Sequence, residues 1–248
     1  MNFDLLIDLY QDADRQGPGS VEQTINAIDL SGLKDSTEKL EIADIGCGTG
    51  ASTLVLASYL NANITAVDLF PEFLSILEEK AFKKGLAHKI NTLNCSMDNL
   101  AFERDSLDAI WSEGAIYIMG FEKGIKYIKN FLKPGGILAA SEITWLTENR
   151  PAEITKYWEN EYPDIATKDE KIKVLEKNGF IMKGYFPLPE DCWLDNYYVP
   201  LEKRFDAFLS RHNSEEARSL IETEKNEIEI FKKFGQYYSY GFYIAQKA

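Results

Sequence analysis

An α/β fold is predicted for this chain: a doubly wound, mostly parallel sheet of seven strands whose last strand runs antiparallel. Three observations predict it. From residue 40 to 144, short apolar runs alternate with helical patterns, and that rhythm requires parallel strands joined by crossover helices on both faces. The first apolar run ends in Gly46-Cys47-Gly48-Thr49-Gly50, a glycine-rich turn that lets a strand run into a helix with bare backbone exposed between them. After Thr144 the rhythm breaks, and the chain closes on an aromatic, alternating segment, Tyr237–Gln246, as expected of a last strand.

The elements follow in order. Phe3, Leu6, Ile7 and Tyr10 have helical spacing within residues 3–14. Gln16-Gly17-Pro18-Gly19-Ser20 interrupts the chain, and Ser20, with Gln23 three residues on, opens a helix to about residue 31. Leu40–Ile45 reads as a buried strand, residues 51–60 as a helix, and Ile64–Asp68 as the second strand. Pro71 suits the first turn of a helix that Gly85 ends. Lys89–Asn94 and Leu107–Ser112 are the third and fourth strands. A helix over 121–132 leads to the turn Lys133-Pro134-Gly135-Gly136 and the fifth strand, Ile137–Thr144. Residues 151–162 are helical, and Thr167 with Glu170 forms a capping box for a helix ended by Asn178-Gly179. Phe180–Phe186 is a strand and 199–234 a charged helical stretch.

Composition narrows the function classes. Of 248 residues, 45% are hydrophobic and 27% charged, the mix of a globular protein with a proper core. No apolar run is long enough for a membrane span, and the first residues do not read as a signal peptide. Cys47, Cys95 and Cys192 show no metal-ligand spacing, so no metal site is expected, and reduced thiols in a cytoplasm are the simplest account. A net charge of -13 repels phosphate backbones, which disfavours nucleic acid. Lys80, Lys83, Lys84 and Lys89 form too short a basic cluster to reverse this and read as a solvated helix end.

The glycine loop admits two ligands. Gly46-x-Gly48-x-Gly50-Ala51 fits the dinucleotide fingerprint, with alanine allowed last. Asp68, at the end of the second strand, can accept both hydroxyls of a ribose in either case. Asp44 separates the two better. It is an acid inside an apolar strand, two residues before the first glycine. A pyrophosphate would repel it, whereas an ammonium group, as on the methionine moiety of S-adenosylmethionine, would supply the partner that a buried carboxylate needs.

Five segments in register resemble the class I S-adenosylmethionine-dependent methyltransferases, in the branch of quinone-biosynthesis and small-molecule enzymes. Glu41–Gly50 resembles their first motif, Ala66-Val67-Asp68-Leu69 their acidic loop, and Ser96–Phe102 their adenine-binding segment. Leu107–Ala115 resembles their fourth strand and Leu132–Ile137 the turn before the fifth. The resemblance covers about residues 40–144. It implies that Asp44 holds the methionine ammonium, that Gly46, Cys47, Gly48 and Gly50 form the loop on which the cofactor lies, and that Asp68 takes the ribose hydroxyls. Leu69, Met97 and Asp98 would flank the adenine, and the segment holding Gly19 and Ser20 would close over the pocket as a lid. The whole of 1–248 is then expected to be one domain: lid 1–35, cofactor-binding core 36–144, and a C-terminal part 145–248 with a substrate-side insertion at 187–235.

Simpler roles exist for some of these residues. Asp68 could cap the helix near Pro71, and Asp98 could form an Asx-turn. Cys47 reads as a small loop residue, and His88 and His212 as surface histidines. A sulfonium methyl is already activated, so transfer needs alignment more than a catalytic dyad. Where the acceptor must lose a proton, Glu113 and Glu142 are the candidates for base or anchor, since each lies at the carboxyl end of a strand. Tyr10, Tyr117, Trp145 and Trp193 are the candidate substrate-pocket aromatics. The fourth strand is followed by Ser112-Glu113-Gly114-Ala115 rather than the Asn/Asp-Pro-Pro-Tyr segment of enzymes that methylate exocyclic or amide nitrogens. A small-molecule acceptor is therefore expected. A methyltransferase acting on tRNA or protein, and a non-catalytic binding protein that keeps the cofactor site, are the alternatives.

Overall fold

The computed structural model describes residues 2–248. Its elements are α1 Phe3–Tyr10, α2 Val21–Ser31, β1 Leu40–Ile45, α3 Ala51–Tyr59, β2 Ala62–Asp68, α4 Pro71–Lys83, β3 Ile90–Asn94, β4 Leu107–Glu113, α5 Phe121–Ile128 and β5 Leu132–Trp145. They continue with α6 Ala152–Glu161, β6 Ala166–Thr167, α7 Lys168–Lys177, β7 Phe180–Pro187, α8 Glu190–Trp193, α9 Val199–Glu202, α10 Phe205–Arg211, α11 Glu215–Phe234 and β8 Tyr238–Lys247. Seven strands lie in the order β3-β2-β1-β4-β5-β8-β7, and the two-residue β6 pairs with β5 as an eighth. Strands β1 to β5 pair in parallel, and β8 runs antiparallel between β5 and β7.

Strand periodicity sorts the core. Ile42, Ala109, Trp111, Ile137 and Ala139 face the side where α1, α2, α10 and α11 pack, while Ala43, Ile45, Ile110, Leu138 and Ala140 face α5 and α7. Alternate residues on β1, β4 and β5 thus serve opposite layers, and burial on both faces gives these strands their continuous apolar runs. The strand order reverses between β1 and β4, so a crevice opens at their carboxyl ends.

Local signals explain the helix ends. The Ser20 side chain accepts from Gln23 N at 3.2 Å to start α2, and Gly32 ends it at φ 73°. Thr167 and Glu170 form the reciprocal capping box of α7. The boundaries differ from the sequence reading in three places. The fifth strand is 14 residues long, because Lys133–Gly136 continues it where a separate turn was expected. The 199–234 stretch is not one helix. It begins earlier, at Glu190, passes through a π-turn at Leu194–Tyr198, and breaks around Lys203-Arg204 and His212–Ser214. Extended backbone at Ser214 then caps α11, with its side chain accepting from Ala217 N at 3.1 Å. The first helix stops at Tyr10, leaving residues 11–20 irregular over the crevice. Among the described residues, no helix is long and apolar enough to cross a membrane.

Candidate active site

The site is built where β1 and β2 end. Gly46 and Gly48 have φ of 73° and 54°, values that favour glycine. Both Gly46 N and Cys47 N donate to Val67 O, at 2.8 and 3.0 Å, which ties the loop to β2. A side chain at Gly46 would overlap the Ala115 methyl, and one at Gly48 would overlap Gln16 Oε1. Gly48 N donates to Asp68 Oδ2 at 2.8 Å, and Phe70 N to Asp68 Oδ1 at 3.0 Å. Asp68 therefore braces the glycine loop. It does not cap α4, whose N-cap is Phe70. Burial pushes its pKa up, against the lowering effect of these backbone donors.

Asp44 is fully buried, with Oδ2 accepting from Ser52 Oγ at 2.7 Å and Thr53 Oγ1 at 2.6 Å. Its Oδ1 has no partner. Burial is the main reason that its pKa is raised to about 7. A buried carboxylate with one bare oxygen lacks a donor that a cationic or hydrogen-bonding ligand would supply. Cys47 is buried, which pushes its thiol well above the usual range, and it is no nucleophile in this state.

Residues 11–20 lie across the loop. Gln16 Oε1 accepts from Thr49 N at 2.8 Å, while its Nε2 donates to Tyr10 O, Ala13 O and Thr49 Oγ1 at 3.1–3.2 Å. Arg15 pairs with Glu113 at the end of β4. Asn196 Nδ2 donates to Gly19 O at 3.1 Å, joining the same segment to the π-turn.

One cavity of about 1700 Å³ runs from this loop into the C-terminal helices. At one end its wall includes Gln16, Gly46, Gly48, Asp68, Leu69 and Met97. At the other it includes Tyr10, Tyr117, Trp158, Trp193, Tyr197 and Tyr240. Of the residues expected to hold the cofactor, Gly46, Gly48, Asp68, Leu69 and Met97 therefore share one wall. Asp44 sits directly behind it. Gly50 instead packs on Leu77 at the head of α3, and Asp98 accepts from Ser96 Oγ at 2.6 Å without lining the cavity. In the lid it is Gln16, Gly17 and Pro18 that reach the wall, while Gly19 and Ser20 turn toward Cys192 O and the start of α2.

The candidate acceptor-side residues divide similarly. Tyr10, Tyr117 and Trp193 line the cavity, but Trp145 does not. Its ring packs edge-on against Tyr238 and under the Arg150 guanidinium, 4.2 Å away. Glu113 and Glu142 also stay off the wall. The Glu113 carboxylate is taken up by Arg15, by Thr24 Oγ1 at 2.7 Å and by Trp111 Nε1 at 2.9 Å. Glu142 is buried beside Lys171, 3.6 Å away, and burial raises it to about 7. Sequence reasoning passed over Arg15, Gln16, Glu224 and Glu227. Arg15 and Gln16 stand beside a Gly-Pro-Gly break that was read only as a lid. Glu224 and Glu227 lie one helical turn apart on α11, a spacing that carries a signal only once that face is known to be buried. No cluster of His, Cys, Asp and Glu able to hold a metal occurs among the described residues.

Comparison with known proteins shows what the chain is similar to. The methyltransferase-domain family matches residues 42–136. The chloroplast tocopherol O-methyltransferase of Arabidopsis thaliana is 25% identical over 180 residues, covering 71% of this chain and 47% of that protein. A ubiquinone/menaquinone biosynthesis C-methyltransferase, UbiE, of Brucella anthropi is 35% identical over 96 residues, 38% of this chain and 36% of that one. The chain thus spans less than half the length of these relatives. An S-adenosylmethionine-dependent methyltransferase of Geobacter sulfurreducens, solved with S-adenosylhomocysteine, superposes with a TM-score of 0.83 at 16% identity, over 99% of this chain and 98% of that one. The [4+2]-cyclase SpnF superposes at 0.76 and 18% identity, over 99% and 92%. At such identities the structural matches establish the fold: this is the Rossmann-like fold of the class I methyltransferases.

Proposed function

We propose, from the premise that residues 42–136 form a methyltransferase domain, that this protein transfers the methyl group of S-adenosylmethionine to a small-molecule acceptor. The observation that carries the reading is the single cavity of about 1700 Å³ with a glycine-and-carboxylate end and an aromatic end. Pockets for one small ligand usually fall between about 300 and 1000 Å³, so this one has room for a donor and an acceptor together. Lid residues and the C-terminal helices wall the acceptor end, which favours a small molecule over a protein or tRNA.

The residues present fit the cofactor. Asp44 offers its bare Oδ1 to the methionine ammonium, directly or through water. Asp68, already fixed by two backbone donors, presents its carboxylate to the ribose hydroxyls. Gly46 and Gly48 remove side chains where the ligand passes, and Leu69 and Met97 give apolar faces to the adenine. When bound, the cofactor supplies a methyl group on a positively charged sulfur.

The protein's part is to align and to exclude water. Gln16 closes the loop by holding Thr49, and the Arg15–Glu113 pair anchors the lid to β4. Glu113 is thus a positioning residue in this reading. In the same reading the chain works as one domain, with residues 36–144 for the donor and the 187–235 segment for the acceptor.

Titration calorimetry with S-adenosylmethionine and S-adenosylhomocysteine tests the proposal, with Asp68→Ala as control. Both ligands should bind the wild type with micromolar affinity, and Asp68→Ala should weaken both. Absence of binding to the wild type would overturn it.

A further inference from the structure

The acceptor end of the cavity carries a charge pattern that the proposed reaction does not itself require. Its wall includes Glu161, Glu215, Glu216, Glu224 and Glu227 but no Lys, Arg or His among the described residues. Glu224 is only 8% exposed, and its Oε2 has no partner. Glu227 accepts from Tyr198 Oη at 2.8 Å. Among the described residues, no basic side chain is paired with either of them.

Aromatic rings surround these carboxylates. Tyr10 and Tyr197 stack with their hydroxyls 3.1 Å apart, next to Glu224. Trp193 meets Tyr240 edge-on at 4.8 Å, and Trp158 and Tyr157 lie against each other on α6 across the space. Ring faces and desolvated carboxylates attract the same ligand, a soft organic cation. A cationic acceptor would give the ionised Glu224 a countercharge that an anionic or neutral one would not. Burial, with Glu227 beside it, raises Glu224 to about 7, against the lowering effect of the Tyr10 hydroxyl.

We propose that the methyl acceptor is an amine, bound as a cation in the cage formed by Glu224, Glu227 and the rings of Tyr10, Trp158, Trp193 and Tyr197. The proposal rests on the methyl-transfer reading above. The chemistry balances without another reactant. The nitrogen lone pair forms the new N–CH3 bond, and the S–CH3 electron pair stays on sulfur, which becomes a neutral thioether. Positive charge moves from sulfur to nitrogen. An acceptor that arrives protonated first gives its proton to water, which leaves both cage carboxylates ionised. The cage then stabilises the charge developing on nitrogen, where a fixed field favours the product side.

The test uses cations that cannot themselves accept a methyl group, each with a neutral carbon isostere. Choline is paired with 3,3-dimethylbutan-1-ol and benzyltrimethylammonium with neopentylbenzene. Each is titrated into the protein with S-adenosylhomocysteine present, read by the intrinsic fluorescence of its four tryptophans, of which Trp158 and Trp193 line the cavity. At least one cation should bind tenfold or more tightly than its isostere. Glu224→Gln should remove most of that preference while leaving isostere binding and S-adenosylhomocysteine affinity unchanged. That unchanged affinity shows the variant is folded. Equal binding of every cation and its isostere would overturn the proposal, as would a preference surviving both Glu224→Gln and Glu227→Gln. A loss of S-adenosylhomocysteine affinity in Glu224→Gln would assign the carboxylate to the cofactor's own site instead, and would also overturn it. Failure of wild type to bind S-adenosylhomocysteine would overturn the methyl-transfer reading separately, whatever the cations do.

Discussion

Arg15 in the lid and Glu113 at the end of β4 form an ion pair across 98 residues of sequence, with side chains only 11% and 10% exposed. Thr24 and Trp111 satisfy the rest of the carboxylate, so the pair is a junction between the lid, α2 and the sheet. Removing one partner strands the other charge, at a cost of about 3–5 kcal/mol for a well-buried pair. Arg15→Ala should cost at the lower end of that range, because Thr24 and Trp111 remain to hold Glu113. Urea unfolding measures this. Proteolysis should also cut near residues 11–20 much faster in the variant, and a variant as resistant as wild type would argue against the lid role.

Asp44 makes cofactor binding depend on pH. Its folded-state pKa of about 7 lies above the ordinary 3.8. The folded protein therefore holds a proton that the unfolded chain has lost, so this group's contribution to stability falls as pH rises from about 4 to 7 and then levels. An ammonium ligand requires the ionised carboxylate. Affinity for S-adenosylhomocysteine should therefore rise from pH 5 to 7, and fall again above about 8 as the ligand's own amino group loses its proton. Calorimetry across this range on wild type and Asp44→Asn checks it. The variant should bind more weakly and lose the acidic limb while keeping the alkaline one.

At Gly46 both space and backbone are restricted. An alanine there meets the Ala115 methyl and has to adopt φ 73°, a combination costing at least about 1 kcal/mol in backbone strain alone. Gly46→Ala should fold, with Tm lowered by several degrees, and bind S-adenosylhomocysteine at least tenfold more weakly. Gly32→Ala, where φ is also 73° but a side chain meets nothing and the residue lies off the cavity wall, should lower Tm less and leave the affinity near wild type. Equal effects of the two substitutions would remove the argument that Gly46 is kept bare for a ligand.

Much of this was legible in the sequence because it depends on local spacing. Alternating runs located the five parallel strands, Ser20 and Thr167 marked their helices, and Gly46, Gly48 and Asp68 lie within 23 residues at two strand ends. The acceptor side was not legible, because its parts are distant in sequence. Tyr10 meets Tyr197 across 187 residues, and Glu224 gains its meaning from its burial beside Tyr10. Trp145 and Glu142 were misplaced for a related reason. A strand end points a side chain to one face or the other, and β5 sends Glu142 toward Lys171 on α7, away from the cavity.

That pair yields a last prediction. Lys171 Nζ lies 3.6 Å from Glu142 Oε1, 4.5 Å from the centre of the Phe121 ring, and donates to Asp164 O at 3.2 Å. Burial raises Glu142 from 4.5 to about 7, and Lys171, with a smaller part from the Tyr162 hydroxyl, keeps it from rising further. In wild type the folded state therefore holds an extra proton between about pH 4.5 and 7, and this group's stability contribution falls over that window. Lys171→Met lifts the carboxyl pKa again, so the fall continues above pH 7 and the variant's deficit grows with pH. At pH 5 Glu142 is largely protonated in both proteins, and the substitution should cost about 1.5–3 kcal/mol, the scale of a lost hydrogen bond to a charged group. At pH 8 the cost should approach about 3–5 kcal/mol, since the remaining carboxylate must be buried unpaired or take up a proton. Urea unfolding at the two pH values measures the difference, and a deficit independent of pH would show that Glu142 and Lys171 are not electrostatically coupled. Because neither side chain reaches the cavity wall, affinity for S-adenosylhomocysteine at pH 7 should stay within about twofold of wild type, under half a kcal/mol.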